Sequence, residues 1–295
     1  MIGHGTSLLL HGFLGLLLLL GIPGCSPSLV DESPTEGSEA DETRVDVNET
    51  DRGVEDKLTQ ISVINALMLG QYDGLLSIGD LLRYGGFGLG TLDHLDGELI
   101  VLEGRAYQVT GNGDVVEVSP DRTTPFAVVT HFQPDGDFDI VNLTSLTELD
   151  HLLDERIGHR NNFIAIRVDG HVASLTVRSV QRQEPPYRPL AAVAKSQGEW
   201  THHDLRGTLV GIRCPPWVEG LNVPGYHWHF ISEDRKVGGH VLACHLREAH
   251  VQYDPCTSWQ VQLPGGEQFN SLDLGEDLRK ELKAVERSRS DEPGQ

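Results

Sequence analysis

Basic residues are scarce in this chain. Its 295 residues hold 23 Lys plus Arg against 44 Asp plus Glu, a formal charge of −21. A nucleic-acid partner needs a basic face, so the balance speaks against one. It speaks equally against electrostatic docking on an anionic membrane. Only four cysteines are present, too few for a small disulfide-stapled scaffold. Apolar runs are almost missing. The longest, Ser7 to Ile22, falls short of the ~20 residues that a membrane helix needs. No 20–50-residue period repeats, which removes solenoids. There is no Ser-His-Asp elbow, Walker loop or dinucleotide fingerprint. Gly86-Phe87-Gly88-Leu89-Gly90 is glycine-rich but lacks the GxGxxG spacing and a following helix, and it reads as a tight bend. What remains is an acidic globular protein with an unusual N-terminus, long enough for one large domain or two small ones.

The N-terminal apolar run suits the core of a secretory signal. It ends in Gly21-Ile22-Pro23-Gly24-Cys25, which resembles a bacterial lipobox whose Cys is lipidated. No Lys or Arg precedes the run, and Pro23 is unusual in that motif. Residues 1–25 are therefore expected to direct export, with Cys25 lipidated in the cell envelope or with simple cleavage and secretion; a retained anchor is the third reading. Residues 26–57 hold eleven acids and three bases, −8 of the total −21, and no aromatic residue. Such a segment cannot bury enough surface to offset its ordering entropy, so a disordered acidic tether is expected.

From Leu58 onward the pattern is globular. Ile61, Ile64, Leu67 and Met68 predict a helix that Gly70 can end, and Ser77 to Tyr84 a second. Strands are predicted at Glu98–Leu102, Ala106–Thr110, Val115–Val118 and Pro125–Phe132. Leu143 to Ile157 predicts a helix. Phe163–Val168 and Val172–Val180 read as a hairpin around Asp169-Gly170. A short helix at Pro189–Ser196 precedes strands at 208–213, 225–231, 239–246, 251–253 and 259–263, and 274–289 reads as a charged helix or tail. Hairpin-linked strands with scattered helices indicate an α+β fold of mixed or antiparallel sheets in two lobes with flanking helices, residues 58–185 and 186–289.

The sharpest local signal is Tyr226-His227-Trp228-His229-Phe230. Side chains alternate along a strand, so His227 and His229 share one face while Tyr226, Trp228 and Phe230 share the other. After a turn the chain returns through Gly239-His240-Val241, which brings His240 beside the pair. Three imidazoles leave an open coordination position, the pattern of a catalytic zinc. The plainer alternative is three structural histidines among the 14 in the chain. His202, His203, His245 and His250 are given no ligand role, and Cys244 would close the site if it bound. Spacing alone does not single out Glu98 among the acids, and Arg178 shares a strand face with Ser174 and Thr176 that suits solvent as well as function.

Ile61-Ser62-Val63-Ile64-Asn65-Ala66-Leu67-Met68-Leu69-Gly70 and Tyr72-Asp73-Gly74 resemble the opening of the α-acetolactate decarboxylases. Gly88-Leu89-Gly90-Thr91, Leu95-Asp96-Gly97-Glu98, Tyr107-Gln108 and Thr124-Pro125-Phe126-Ala127-Val128 follow in that family's order. Leu221 to Ile231 and Gly238 to Leu242 complete a resemblance running from about Leu58 to about Glu286. It implies the family's fold, a single Zn2+ cofactor, a homodimer, and conversion of 2-acetolactate to acetoin and CO2. By position, His227, His229 and His240 match the zinc ligands. Glu98, Arg178 and Glu286 match the active-site glutamate, the arginine and a second glutamate from the C-terminal tail. Loss of CO2 from a β-keto acid leaves an electron pair that an enediolate must hold, and zinc would stabilise it. Arg178 would hold a carboxylate or oxyanion; either Glu98 or Glu286 could donate the proton, with Glu98 favoured as the donor and Glu286 as a contact to metal or water. No organic cofactor is needed.

Two other readings stay open. His227-Trp228-His229 followed by Glu233 fits part of a cupin motif, which would mean iron or manganese and oxygen chemistry. A non-catalytic zinc-binding envelope lipoprotein is the second. Cys214, Cys244 and Cys256 allow at most one disulfide.

Overall fold

A computed structural model describes residues 56–286. The expected export signal, Cys25 and all but the last two residues of the acidic segment lie outside the described residues, as do the last residues of the charged C-terminal stretch. Lys57, expected to close the tether, already begins the first strand.

Two sheets dominate, as an α+β fold requires. The first has seven strands. They are β1 (Lys57–Ile61), β3 (Phe87–Thr91), β4 (Glu98–Leu102), β5 (Arg105–Val109), β6 (Val115–Glu117), β8 (Phe126–Thr130) and β14 (Ser258–Gln262). Their spatial order is β14-β1-β8-β3-β4-β5-β6. Only the β1–β14 pair is parallel. The second sheet contains β9 (Gly136–Leu143), β10 (Phe163–Ser179), β11 (Gly198–Cys214), β12 (Gly225–Ser232) and β13 (Gly238–Cys256), all antiparallel. Because β10 pairs with both β11 and β13, strands β10 to β13 close into a ring, with β9 outside on β13. A minor pair, β2 (Leu76–Ser77) and β7 (Thr123–Thr124), completes the strands.

Alternation along the strands sorts side chains into three cores. Ile100 and Leu102 of β4 meet Val210, Ile212 and Ile231 of the ring in the core between the sheets. Trp228, Phe230 and Leu209 fill the ring beneath the helix Leu146–Ile157. Ser145 caps that helix, its hydroxyl accepting from the Glu148 amide at 3.1 Å. The outer face of the seven-stranded sheet packs Leu99 and Val101 against Ile78 and Leu81.

Three expectations need correction. The 86–90 stretch is not a bend: Phe87–Thr91 is a central strand between β8 and β4. Its glycines permit close packing, since a Cβ on Gly90 would lie 2.4 Å from the Phe126 carbonyl oxygen. Asp169-Gly170 is not a turn: β10 runs straight through it, with Asp169 opposite Thr208 on one side and His250 on the other. The division at 185/186 does not separate the sheets, because β9 and β10 belong with β11 to β13 while β14 joins β1. Cys214, Cys244 and Cys256 are buried and form no disulfide.

The close approach at Gly90 generates a stability prediction. Gly90→Ala should destabilise residues 56–286 by about 1–3 kcal/mol, the usual cost of an overpacked core. Urea unfolding measures it, and an unchanged midpoint would contradict the tight packing of β3 on β8.

Candidate active site

All six residues singled out in the sequence converge on one point between the sheets. Glu98 opens β4 on the same face as Ile100, so it looks toward the ring. His227 and His229 share a face of β12 with Ile231, and Trp228 and Phe230 point the other way, as alternation requires. His229 sits opposite His240 on β13, and His240 sits opposite Arg178 on β10. Glu286 arrives on the short C-terminal helix Arg279–Glu286, whose Leu282 and Val285 are buried in the core between the sheets. Arg178 is therefore no solvated strand residue; it is 4% exposed.

The three histidines can present one nitrogen each to a common point. His229 Nδ1 lies 2.9 Å from the Leu99 carbonyl, so it carries the proton and donates. That leaves the Nε2 lone pair aimed inward, buried and without a hydrogen-bond partner. His240 Nε2 lies 3.0 Å from the Glu286 carbonyl and donates to it, which frees Nδ1. His227 Nε2 and His240 Nδ1 are 3.1 Å apart. Zinc–nitrogen bonds of ~2.0–2.1 Å in tetrahedral geometry separate ligand nitrogens by about 3.3 Å, so the residues fit such an ion. Backbone carbonyls holding the outer nitrogens are the usual support of ligating imidazoles. Burial, reinforced by the Arg178 charge, pushes His227 down to about 3 and holds His229 and His240 well below the ordinary imidazole value. All three are neutral at pH 7, the state that ligates.

Two carboxyls flank the histidines. Arg178 Nη1 donates to Glu98 Oε1 at 2.6 Å, and Glu98 Oε2 stands 3.5 Å from His229 Nε2. Glu286 Oε2 lies 3.6 Å from His227 Nε2 and 3.8 Å from His240 Nε2. Burial raises Glu98 to about 7, with Arg178 opposing the rise and Glu286 adding to it. Burial raises Glu286 to about 7 as well, again opposed by Arg178. Both acids are thus poised to hold or release a proton near neutrality. Arg178 Nε is buried and unpartnered, a donor left over for a ligand.

Ile64, Leu67, Leu95, Phe126 and Leu190 wall a cavity of about 30 Å³ that Glu98, Arg178, His227 and Glu286 also line. Sequence reasoning missed this apolar wall and the Leu99 carbonyl, because no local pattern links Leu99 to His229, 130 residues later. Glu233, the fourth ligand of the cupin alternative, is exposed on the turn after β12 and outside the histidine group. Cys244 lies in the ring core, also outside it. Asp73, Asp93 and His94 form a second group with ligand spacing, but Tyr187 already bonds both Asp73 and the Nδ1 of His94.

The family model for α-acetolactate decarboxylase matches residues 58–276. The chain belongs to the α-acetolactate decarboxylase family. It is 39% identical to the family's protein from Methanosarcina mazei, over 90% of this chain and 92% of that one. It is 38% identical to the one from Brevibacillus brevis, over 79% and 81%. Among solved structures, α-acetolactate decarboxylase from Bacillus subtilis strain 168 superposes with a TM-score of 0.76 at 33% identity, covering 79% of this chain and all of that one. The match to the family model ends ten residues before Glu286, so that residue's place rests on the geometry above.

His229→Ala should weaken zinc binding at least about a hundredfold, since it removes a ligand rather than a support. Competition with a chromophoric chelator reads the affinity. Parent-like affinity would remove this group as a metal centre.

Proposed function

We propose that this chain is a carboxy-lyase that converts 2-acetolactate to acetoin and CO2 with zinc held by His227, His229 and His240. One observation carries the reading: in a member of this family, the Glu98–Arg178 pair lines an apolar-walled chamber together with His227, one of three neutral imidazoles grouped at ligand spacing. The reaction breaks the bond between the carboxylate and its carbon. CO2 leaves, and the electron pair left behind is accepted through the neighbouring ketone. One proton is then taken up on carbon to give acetoin. A zinc ion, when bound, supplies Lewis acidity beside the carbon–oxygen groups that accept these electrons.

The chain's own residues supply the rest. Arg178 spends Nη1 on Glu98 and keeps Nε for a substrate oxygen. Glu98, held by Arg178 and turned toward His229, donates the proton from one fixed side, which sets the handedness of the product. Glu286 closes the chamber opposite Glu98 and contacts water or metal. Ile64, Leu67, Leu95, Phe126 and Leu190 give the substrate's methyl groups an apolar face to rest against.

Acetoin formation by residues 56–295, zinc-loaded, tests this reading. Glu98→Gln should lower kcat by about 10²–10⁴-fold with zinc content unchanged. A parent that binds zinc yet makes no acetoin above the spontaneous rate would refute the proposed activity.

The N-terminal segment extends the proposal to place. Export with lipid on Cys25 anchors the enzyme in the cell envelope through residues 26–55, and the working unit is a homodimer. Palmitate label on the full chain, lost in Cys25→Ser, supports the anchor; an unlabelled chain of reduced mass indicates simple cleavage. Sedimentation of the soluble form reads the assembly.

A further inference from the structure

Glu286 reaches the histidines on a short segment with little holding it from outside. The helix Arg279–Glu286 has eight residues, and a helix that short does not stand alone in water. Its outer tie is Arg279, which pairs with Glu219 at 2.9 Å and with Asp277 at 2.6 Å. These side chains are half to two-thirds exposed, and exposed ion pairs contribute little. Leu282 and Val285 bury one face, but non-directional apolar contacts do not by themselves fix where the segment begins.

His240 holds the far end of the segment through the Glu286 carbonyl, and the directional tie at its entry is Asn65. Its Nδ2 donates to the Leu274 carbonyl at 3.0 Å and to the Glu276 carbonyl at 3.3 Å, over two hundred residues away in sequence. Asn65 is 6% exposed, and its own backbone amide donates to the Gly220 carbonyl at 3.3 Å. Gly220 has a φ of 77°, and a Cβ there would stand 3.2 Å from Asn65 Nδ2, so a glycine lets the loop lie against this amide. The helix that carries Asn65, Ile64–Met68, also carries Ile64 and Leu67 of the chamber wall. One buried helical turn therefore lines the chamber and pins the entry of the segment that ends in Glu286.

We infer that Asn65 is a positioning residue, which acts on the reaction by fixing the segment Leu274–Glu286 and through it the Glu286 carboxyl at His227 and His240. This rests on the role proposed above for Glu286. Glu286 lines both the 30 Å³ chamber and an outer cleft of about 850 Å³ that Asn65 shares. A loosened segment shifts the wall between them, and misplacement of about 1 Å costs on the order of a hundredfold in rate.

The test uses the zinc-loaded full chain with Asn65→Ala and the isosteric Asn65→Asp, alone and in a Glu286→Gln background. The expected result is a kcat lower by about tenfold to a hundredfold in either single variant, with zinc content retained. In the Glu286→Gln background the same change should cost less than about twofold, since a residue acting through another is silent once that other is gone. Hydrogen exchange of the Leu282 and Val285 amides should accelerate in the Asn65 variants while that of β10 does not change. Equal losses in both backgrounds, an unchanged kcat, or unchanged exchange would each overturn the inference. Glu286→Gln turning over at the parent's rate would overturn it too. If the parent makes no acetoin, the activity reading fails by itself, and the exchange rates still decide whether Asn65 fixes the segment.

Discussion

The pairing of three strands around His240 is the constraint on which the site depends. His240 stands opposite His229 on one side and opposite Arg178 on the other. Side chains alternate with a period of two, so a one-residue slip in either pairing would turn a ligand or the guanidinium into the wrong core. The register between β10 and β13 is in fact adjusted. It shifts between Thr176 and Val177, leaving Leu242 as the extra residue of a bulge. Without that bulge Arg178 would oppose Val241. Irregularities of this kind re-aim side chains next to functional sites, and this one serves that end.

Burial sets the chemistry once the register has set the geometry. A carboxylate, a guanidinium and three imidazoles share a space from which water is nearly excluded. Glu98 and Arg178 offset each other with a single hydrogen bond and do not exhaust each other. Glu98 Oε2 stands 3.5 Å from His229 Nε2, and Arg178 Nε and His229 Nε2 are both buried and orphaned. Buried polar atoms without partners are costly in a structural core and characteristic of a site that completes itself with ligand. Their convergence distinguishes this chamber from a set of structural histidines.

Much of the centre was legible from the sequence because it depends on local rules. The alternation in Tyr226 to Phe230 and the turn before Gly239 place three histidines together without knowledge of the rest. Glu98 and Arg178 were legible through their motifs and not through physics, since acids after turns and arginines on strands are common. The long strands were misread where tertiary pairing overrides local preference. Asp169-Gly170 has turn chemistry, yet Gly170 is there because a Cβ would lie 2.4 Å from the Cβ of Ala249. The Asp169 carboxylate accepts from Thr208 Oγ1 at 2.6 Å rather than from its own backbone. The same holds for Gly88 and Gly90, where glycine marks the close approach of β8 and not a bend. The Asn65 tie was invisible, since no local pattern links residue 65 to residue 274.

The parallel pairing of β14 with β1 bears on how this protein comes into being. β1 holds an inner place in its sheet, yet its neighbour on one side is supplied by residues 258–262. A ribosome must therefore release nearly the whole chain before the first strand can be covered. Until then the growing polypeptide carries an unfinished sheet edge, a template for pairing with other chains. Contacts this distant in sequence also slow folding. Shortening the chain ahead of residue 258 would do more than remove a tail; it would strip the cover from β1, the earliest strand among the described residues.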